Sequence, residues 1–188
     1  MRAYLMNTAY DADGNSPWDT LWYEGDDWDL LPLKGELPLT GIWKPISVTM
    51  QKRLKVPDIY TFQLFFAASK RVRDVLKPVL GDSVEFLRLR CDRELYVMHS
   101  LQRIELDWQA VAGRTRFRDN VTVIKKYVFA RGQSLAHLRM FYARQPEGTE
   151  ARAAGLCCSG LLVTEPVKVV CDTHKLRGIC FTEVGRVK

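Results

Sequence analysis

Three histidines, five cysteines and a pair of adjacent aspartates are the side chains of this chain that could do covalent, proton-transfer or metal chemistry. Cys171, His174 and Cys180 come closest to a metal cluster, because Cys171 and His174 stand one helical turn apart and could reach a shared ion. A structural zinc takes four ligands, and the fourth would have to be Cys157 or Cys158. Val170, Cys171 and Leu176 fit an apolar helix face without any metal, so the cluster reads as core. Nucleophilic catalysis would need Cys157 or Cys158 beside His99, His137 or His174, and no spacing links them. His99 ends a strand and His137 sits inside one, positions where a histidine is more often satisfied or exposed than catalytic. Asp26-Asp27 could be a paired acid and base, but a surface turn explains adjacent aspartates equally well. Phosphate loops of the G-x-x-x-x-G-K-[ST] and G-x-G-x-x-G types are absent, as are metal-hydrolase signatures. No catalytic residue, no metal and no cofactor is therefore assigned, and the expectation is a protein that is not an enzyme.

Binding chemistry is better represented. The stretch "WDTLWYEGDDWDLLP", residues 18 to 32, holds three tryptophans and five carboxylates in a chain of net charge +6. No Lys or Arg occurs between Arg2 and Lys34, while seven acids do (Asp11, Asp13, Asp19, Glu24, Asp26, Asp27, Asp29); from Lys34 onward 27 bases face 15 acids, a balance of +12. Two faces of opposite sign can form. Tryptophan and tyrosine are enriched among interface hot spots, and clustered acids steer a basic partner. A second candidate is "GRTRFRDNVTVIKKYVFARG" (113 to 132), where Arg114, Arg116, Arg118, Lys125, Lys126 and Arg131 interleave with Phe117, Tyr127 and Phe129. Basic residues among aromatics can hold phosphates while stacking bases. A solvated hairpin with its aromatics on the core side explains the same pattern.

These residues need a scaffold, and 188 residues are enough for one well-formed core but short for two. The composition, 47% apolar and 27% charged, is that of a globular chain. One domain over 1–188 is expected, with 11–41 as an acidic, Trp-rich irregular segment packed on the body, because Gly and Pro recur there too often for a long helix. The odd cysteine count without C-x-x-C points to reduced thiols. No apolar run approaches the ~20 residues of a membrane span, and Met1 to Thr8 lacks the apolar stretch of a signal peptide, so the cytoplasm is the expected location. "SKRVRDVL" predicts a helix capped by Ser69, with Val72, Val75 and Leu76 inward and Lys70, Arg71, Arg73 and Lys77 outward, ended by Pro78 and Gly81. "SVEFLRLRC", "ELYVMHS" and "LQRIELDW" predict an antiparallel meander, with Ile104, Leu106 and Trp108 alternating. "VTVIKKYVF" and "AHLRMFY" predict two more strands. Residues 65–87 and 161–184 follow one plan, an apolar pair, a Ser or Thr cap, a helix, a glycine turn and a strand: Ser69 answers Thr164, and Val84-Glu85-Phe86 answers Ile179-Cys180-Phe181. Either a true repeat or two copies of a common unit explains the echo. The fold class is α+β, a mainly antiparallel sheet with at least two Ser/Thr-capped helices.

"PDIYTFQLFFAASKRVRDVLKPVLGDSVEFLRLRCDRELYVMHSLQRIELDW" resembles the central part of an immunity-protein family from bacterial polymorphic toxin systems. The family's Pro-Asp start, Ser-capped helix, glycine turn and strands closing on an apolar-acidic pair correspond here to Pro57-Asp58, Ser69 to Leu76, Gly81 and Leu106-Asp107. "LLVTEPVKVVCDTHKLRGICFTEV" resembles its closing unit. The similar parts cover most of 20–110 and 159–184. The resemblance implies a non-enzymatic cytoplasmic antitoxin whose partner is a cognate toxin encoded by an adjacent gene. On that reading the toxin-facing patch is Trp18, Asp19, Trp22, Tyr23, Glu24, Asp26, Asp27, Trp28 and Asp29, with Arg114, Arg116, Arg118, Lys125, Lys126 and Arg131 as the alternative face. The runner-up is a nucleic-acid-binding module using 113–132; nucleic acid and membrane are not the expected partners, and self-association stays open.

Overall fold

A computed structural model describes residues 1–26, 30, 32–33, 35–63, 65–107, 109–111, 127–130, 137–144 and 160–186, and the backbone of 115–117 and 121–123. In chain order the elements are β1 (Arg2–Thr8), β2 (Thr20–Trp22), β3 (Thr49–Gln51), β4 (Ile59–Phe62), β5 (Phe65–Ser69), α1 (Lys70–Leu80), β6 (Val84–Arg88), β7 (Leu95–Ser100), β8 (Arg103–Glu105), β9 (Thr115–Phe117), β10 (Val121–Val123), β11 (Met140–Arg144), β12 (Leu162–Thr164), α2 (Glu165–Thr173) and β13 (Ile179–Arg186). They form a six-stranded sheet ordered β3-β2-β4-β5-β7-β6, a five-stranded sheet ordered β13-β1-β12-β11-β8 and the small hairpin β9-β10. Among the described strands β2–β4 and β8–β11 pair parallel and the others antiparallel. The fold is α+β, with two helices among the described residues and mostly antiparallel pairing, as expected. Among the described residues no helix is long and apolar enough to cross a membrane.

Helix α1 starts where the sequence predicts, with the Ser69 hydroxyl accepting the Val72 amide at 3.4 Å and Val72, Leu76 and Leu80 buried. Pro78 does not end it. The helix runs on to Leu80 and is closed by Gly81, whose N–H donates to the Lys77 carbonyl. Proline at 78 forfeits one hydrogen bond to the carbonyl four residues back, and burial of Leu76 and Leu80 on either side of it, 1% and 2% exposed, holds the last turn. Thr164 takes the matching place before α2, but its hydroxyl turns away from the helix and donates to the Leu138 carbonyl at 3.1 Å.

Three strand expectations need correction. β6 and β7 pair antiparallel, but β8 leaves that sheet and pairs parallel with β11, so there is no three-strand meander. Ser100 and Gln102 make the transfer, the Ser100 hydroxyl donating to Met140 O at 2.7 Å and Tyr142 N donating to Gln102 O at 3.1 Å. Ile104 and Leu106 are buried as their alternation predicts; Trp108 lies outside the described residues. Within 121–129, Val121–Val123 is a strand, Tyr127 and Val128 lie outside any strand and Phe129 makes an isolated bridge to Leu106; 124–126 lie outside the described residues. His137 lies in an exposed turn, not in a strand, because β11 begins only at Met140.

The echo between 65–87 and 161–184 belongs to a larger correspondence. In each sheet a short strand lies parallel to the next, Leu21 opposite Phe62 in one and Ile104 opposite Ala143 in the other. Three antiparallel neighbours follow, β4-β5-β7-β6 in one sheet and β11-β12-β1-β13 in the other. The registers agree: Ala68 faces Ile59 and Tyr96, and Val163 faces Met140 and Tyr4. β1 therefore stands where β7 stands in the other repeat, and "AYLMNT" (3–8) matches "LYVMHS" (95–100) position for position. The strand that completes the second repeat thus precedes the first repeat in the chain. A cation–π contact recurs with it, Arg73 lying 4.5 Å from the Tyr96 ring centroid and Lys168, at the same helical position, 5.6 Å from that of Tyr4.

The core follows the same plan. One cluster joins the buried faces of both helices to one face of each sheet, through Val72 and Leu76 with Met98, and through Val167 and Cys171 with Met6. The opposite sheet faces build separate clusters, one around Ala3, Ile104, Tyr127 and Phe141, the other around Leu21, Tyr60, Phe62 and Leu95. Leu30, Leu33 and Leu39 enter the latter, so the acidic segment is anchored to the six-stranded sheet by its leucines.

Candidate partner interface

Two repeats with one plan make their differences informative. Leu21 of β2 is buried in the cluster on one face of the sheet, and alternation puts Thr20 and Trp22 on the other face. Trp22 is 49% exposed there, beside exposed Thr49 and Gln51 of β3 and half-buried Thr61 of β4. The same positions in the other repeat are Arg103, Glu105 and Tyr142. They are closed by charge: the Arg103 guanidinium stacks 4.6 Å from the Tyr142 ring centroid, and Arg144 pairs with Glu105 at 3.3 Å and Glu36 at 3.1 Å. Where one repeat carries ion pairs, the other presents an exposed indole among neutral side chains. An exposed tryptophan on a rigid strand has the character of a hot spot.

The remaining residues of the acidic segment divide into anchors and surface groups. Asp19 is 3% exposed; its carboxylate accepts the Arg53 amide at 2.6 Å, and its own amide donates to Lys55 O at 2.9 Å. It holds two chain segments together and cannot face a partner. Trp18 is half-buried beneath Lys55, whose Nζ lies 5.7 Å from the indole centroid. Tyr23 packs partly buried against the leucine cluster. Glu24 and Asp26, two and four residues after Trp22 in the chain, are exposed. Asp27, Trp28 and Asp29 lie outside the described residues.

The alternative basic face loses part of its chemistry. Tyr127 and Phe129, expected as stacking platforms, are 2% and 9% exposed and form an aromatic chain with Phe141 at centroid distances of 6.5 and 6.1 Å. They are core. Arg116 sits on β9, of which the backbone alone is described; Arg114, Arg118, Lys125, Lys126 and Arg131 lie outside the described residues.

Two polar networks escaped the sequence reading because strand pairing creates them. Glu85 and His99 are 14 residues apart and become cross-strand neighbours through β6–β7, with Nδ1 3.0 Å from the carboxylate. The other imidazole nitrogen lies 3.1 Å from Gly35 O. Burial alone would raise the Glu85 carboxyl, but hydrogen bonds from the Thr40 hydroxyl, the Leu39 and Thr40 amides and His99 outweigh it and hold it down to about 2. This pair clamps 35–40 to the sheet. Asp58, 7% exposed, accepts from Arg71 at 3.1 Å and from the Arg177 side chain and amide at 3.1 and 3.0 Å, tying the repeats together. The Pro57-Asp58 motif marked the place, while its partner 119 residues away was invisible.

Cys171 is buried in the core, and burial pushes its thiol up to about 12. Cys180 is exposed on β13, and His174 is exposed at the end of α2. Among the described residues no group of three or more His, Cys, Asp or Glu side chains could hold a metal ion; Cys157 and Cys158 lie outside them. No family model matches the chain, and no curated protein matches it.

Proposed function

We propose that this chain is an immunity protein, a cytoplasmic antitoxin that neutralises a cognate bacterial toxin, encoded by an adjacent gene, by binding it stoichiometrically without enzymatic turnover. The observation that carries the reading is Trp22, held on a strand with half its surface open, where the matching position of the other repeat is the ion-paired Glu105. Glu24 and Asp26, which follow it in the chain, give the patch a negative rim, suited to a basic cleft of the kind that nucleic-acid-degrading toxins carry. The resemblance of 57–108 and 161–184 to immunity proteins points the same way.

The test is to co-express the chain with the product of the adjacent gene and measure their affinity. Trp22→Ala should weaken binding about 30-fold, the worth of a hot spot near 2 kcal/mol, with the melting temperature unchanged. The double variant Glu24→Ser/Asp26→Ser should slow association at low salt and match wild type at high salt. Absence of a complex, or an affinity indifferent to all three side chains, refutes the reading.

A further inference from the structure

A groove of about 410 Å³ opens where the ends of β1 and β13 meet the β4–β5 turn, lined in its polar part by Asn7, Thr8, Thr61, Gln63, Cys180 and Thr182. The Trp22 face leads into it through Thr61, whose hydroxyl lies 2.6 Å from that of Thr8. Register equivalence gives each wall a counterpart: Asn7 corresponds to His99, Thr8 to Ser100, Cys180 to Glu85 and Thr61 to Tyr142. The counterpart cleft is occupied by the chain's own segment Gly35–Thr40. Its backbone is gripped at both ends, Gly35 O by His99 at 3.1 Å and Arg103 at 2.7 Å, and the Leu39 and Thr40 amides by Glu85 at 2.7 and 2.9 Å. One copy of this site is therefore already a receptor for polypeptide backbone, filled in cis by a bent segment.

We propose that the other copy, which no described segment fills, receives a segment of the toxin backbone in trans, a use of the groove that rests on the immunity reading. The charged pair of the filled copy is replaced by neutral groups: the Asn7 carboxamide can donate to and accept from a peptide bond, and no charged side chain is among the described residues that line the groove. Met6, Tyr10, Phe65 and Phe66 supply apolar walls. The segment it fits is uncharged and carries at least one apolar side chain, because a charge buried here would go unpaired.

Cys180 reports on the groove, being exposed at its wall. N-ethylmaleimide labelling, read at the Cys180 peptide by mass spectrometry, should modify the free protein and leave the complex protected at least tenfold. Asn7→Trp, which fills the groove, should weaken the complex at least 30-fold without lowering the melting temperature. A complex that forms while Cys180 labels at the free rate overturns the groove proposal and leaves the immunity reading standing, and so does a free protein whose Cys180 resists labelling, since the groove is then covered by its own chain. If no complex forms with the adjacent gene's product, both fall together.

Discussion

Glu85 shows how much one side chain can carry in this fold. Its carboxyl sits at about 2 in the folded chain, against about 4.3 for an unperturbed glutamate. A folded value below the unfolded one stabilises the native state above the unfolded value, and that stabilisation is lost as pH falls from about 4.5 through 2. The gain is worth roughly 2–3 kcal/mol, at 1.4 kcal/mol per unit. Glu85→Gln removes the anion and turns an NH2 group towards amides that need an acceptor. Urea unfolding at stepped pH should therefore find the variant about 2 kcal/mol weaker than wild type at pH 7, with the two converging near pH 2. Parallel curves would mean that the clamp on 35–40 is not electrostatic.

At the scale of elements, the turn between α2 and β13 does what its hydrophobic pattern alone does not announce. Arg177 O accepts the amides of Asp58 and Ile59 at 3.0 and 3.1 Å, and Gly178 O accepts that of Ala9 at 3.1 Å, so this turn docks the second repeat onto β4 of the first. Gly178 has φ +99°, and a Cβ there would lie 2.4 Å from Ile59 O and 2.4 Å from Pro57 Cβ. Neither atom can yield without moving the β4 backbone. Gly178→Ala should cost about 2–4 kcal/mol in denaturant titration, whereas Gly41→Ala, with open space around it, should change stability by less than about 0.5 kcal/mol. Equal effects would show that the docking turn is adaptable. The helices were legible because apolar spacing is local: Ser69 with Val72, Val75 and Leu76 marks α1 unaided, while the turn beyond Pro78 that buries Leu80 was not foreseen. The partner of β8 was not, because Ile104 and Leu106 alternate in the same way whichever sheet takes them.

At the scale of the molecule, the repeat explains why an N-terminal strand and the last strand are neighbours. Arg2 pairs with Arg186, and the counterpart of this pair in the first repeat is the hairpin β6–β7. Joining residues 186 and 2 by a short Gly-Ser linker and opening the chain in the exposed turn at 11–15 would put the two repeats in tandem. The permutant should fold and melt within about 5 °C of wild type, since it cuts no strand pair and no core contact; a molten or aggregated product would show that β1 must be made first. The asymmetry is also visible at this scale, because one copy of the inter-repeat cleft is filled by Gly35–Thr40 and the other is filled by no described segment.

By itself the sequence determined what depends on neighbours within a few residues: the two helices and the Ser69 cap of the first, the alternating strands, the echo of 65–87 in 161–184, and the acidic aromatic composition of the first forty positions. Hydrogen bonding and side-chain period act over those distances, so the pattern is written locally. Tertiary structure alone decided which residues of that composition reach the surface. Trp22 and Asp19 are three positions apart, yet one is open and the other is spent on the Arg53 amide. It also decided that β1 completes a distant repeat and that Glu85 meets His99 under a loop. Those outcomes depend on register between strands far apart in the chain, where a slip of one residue exchanges the two faces and rewrites every partner.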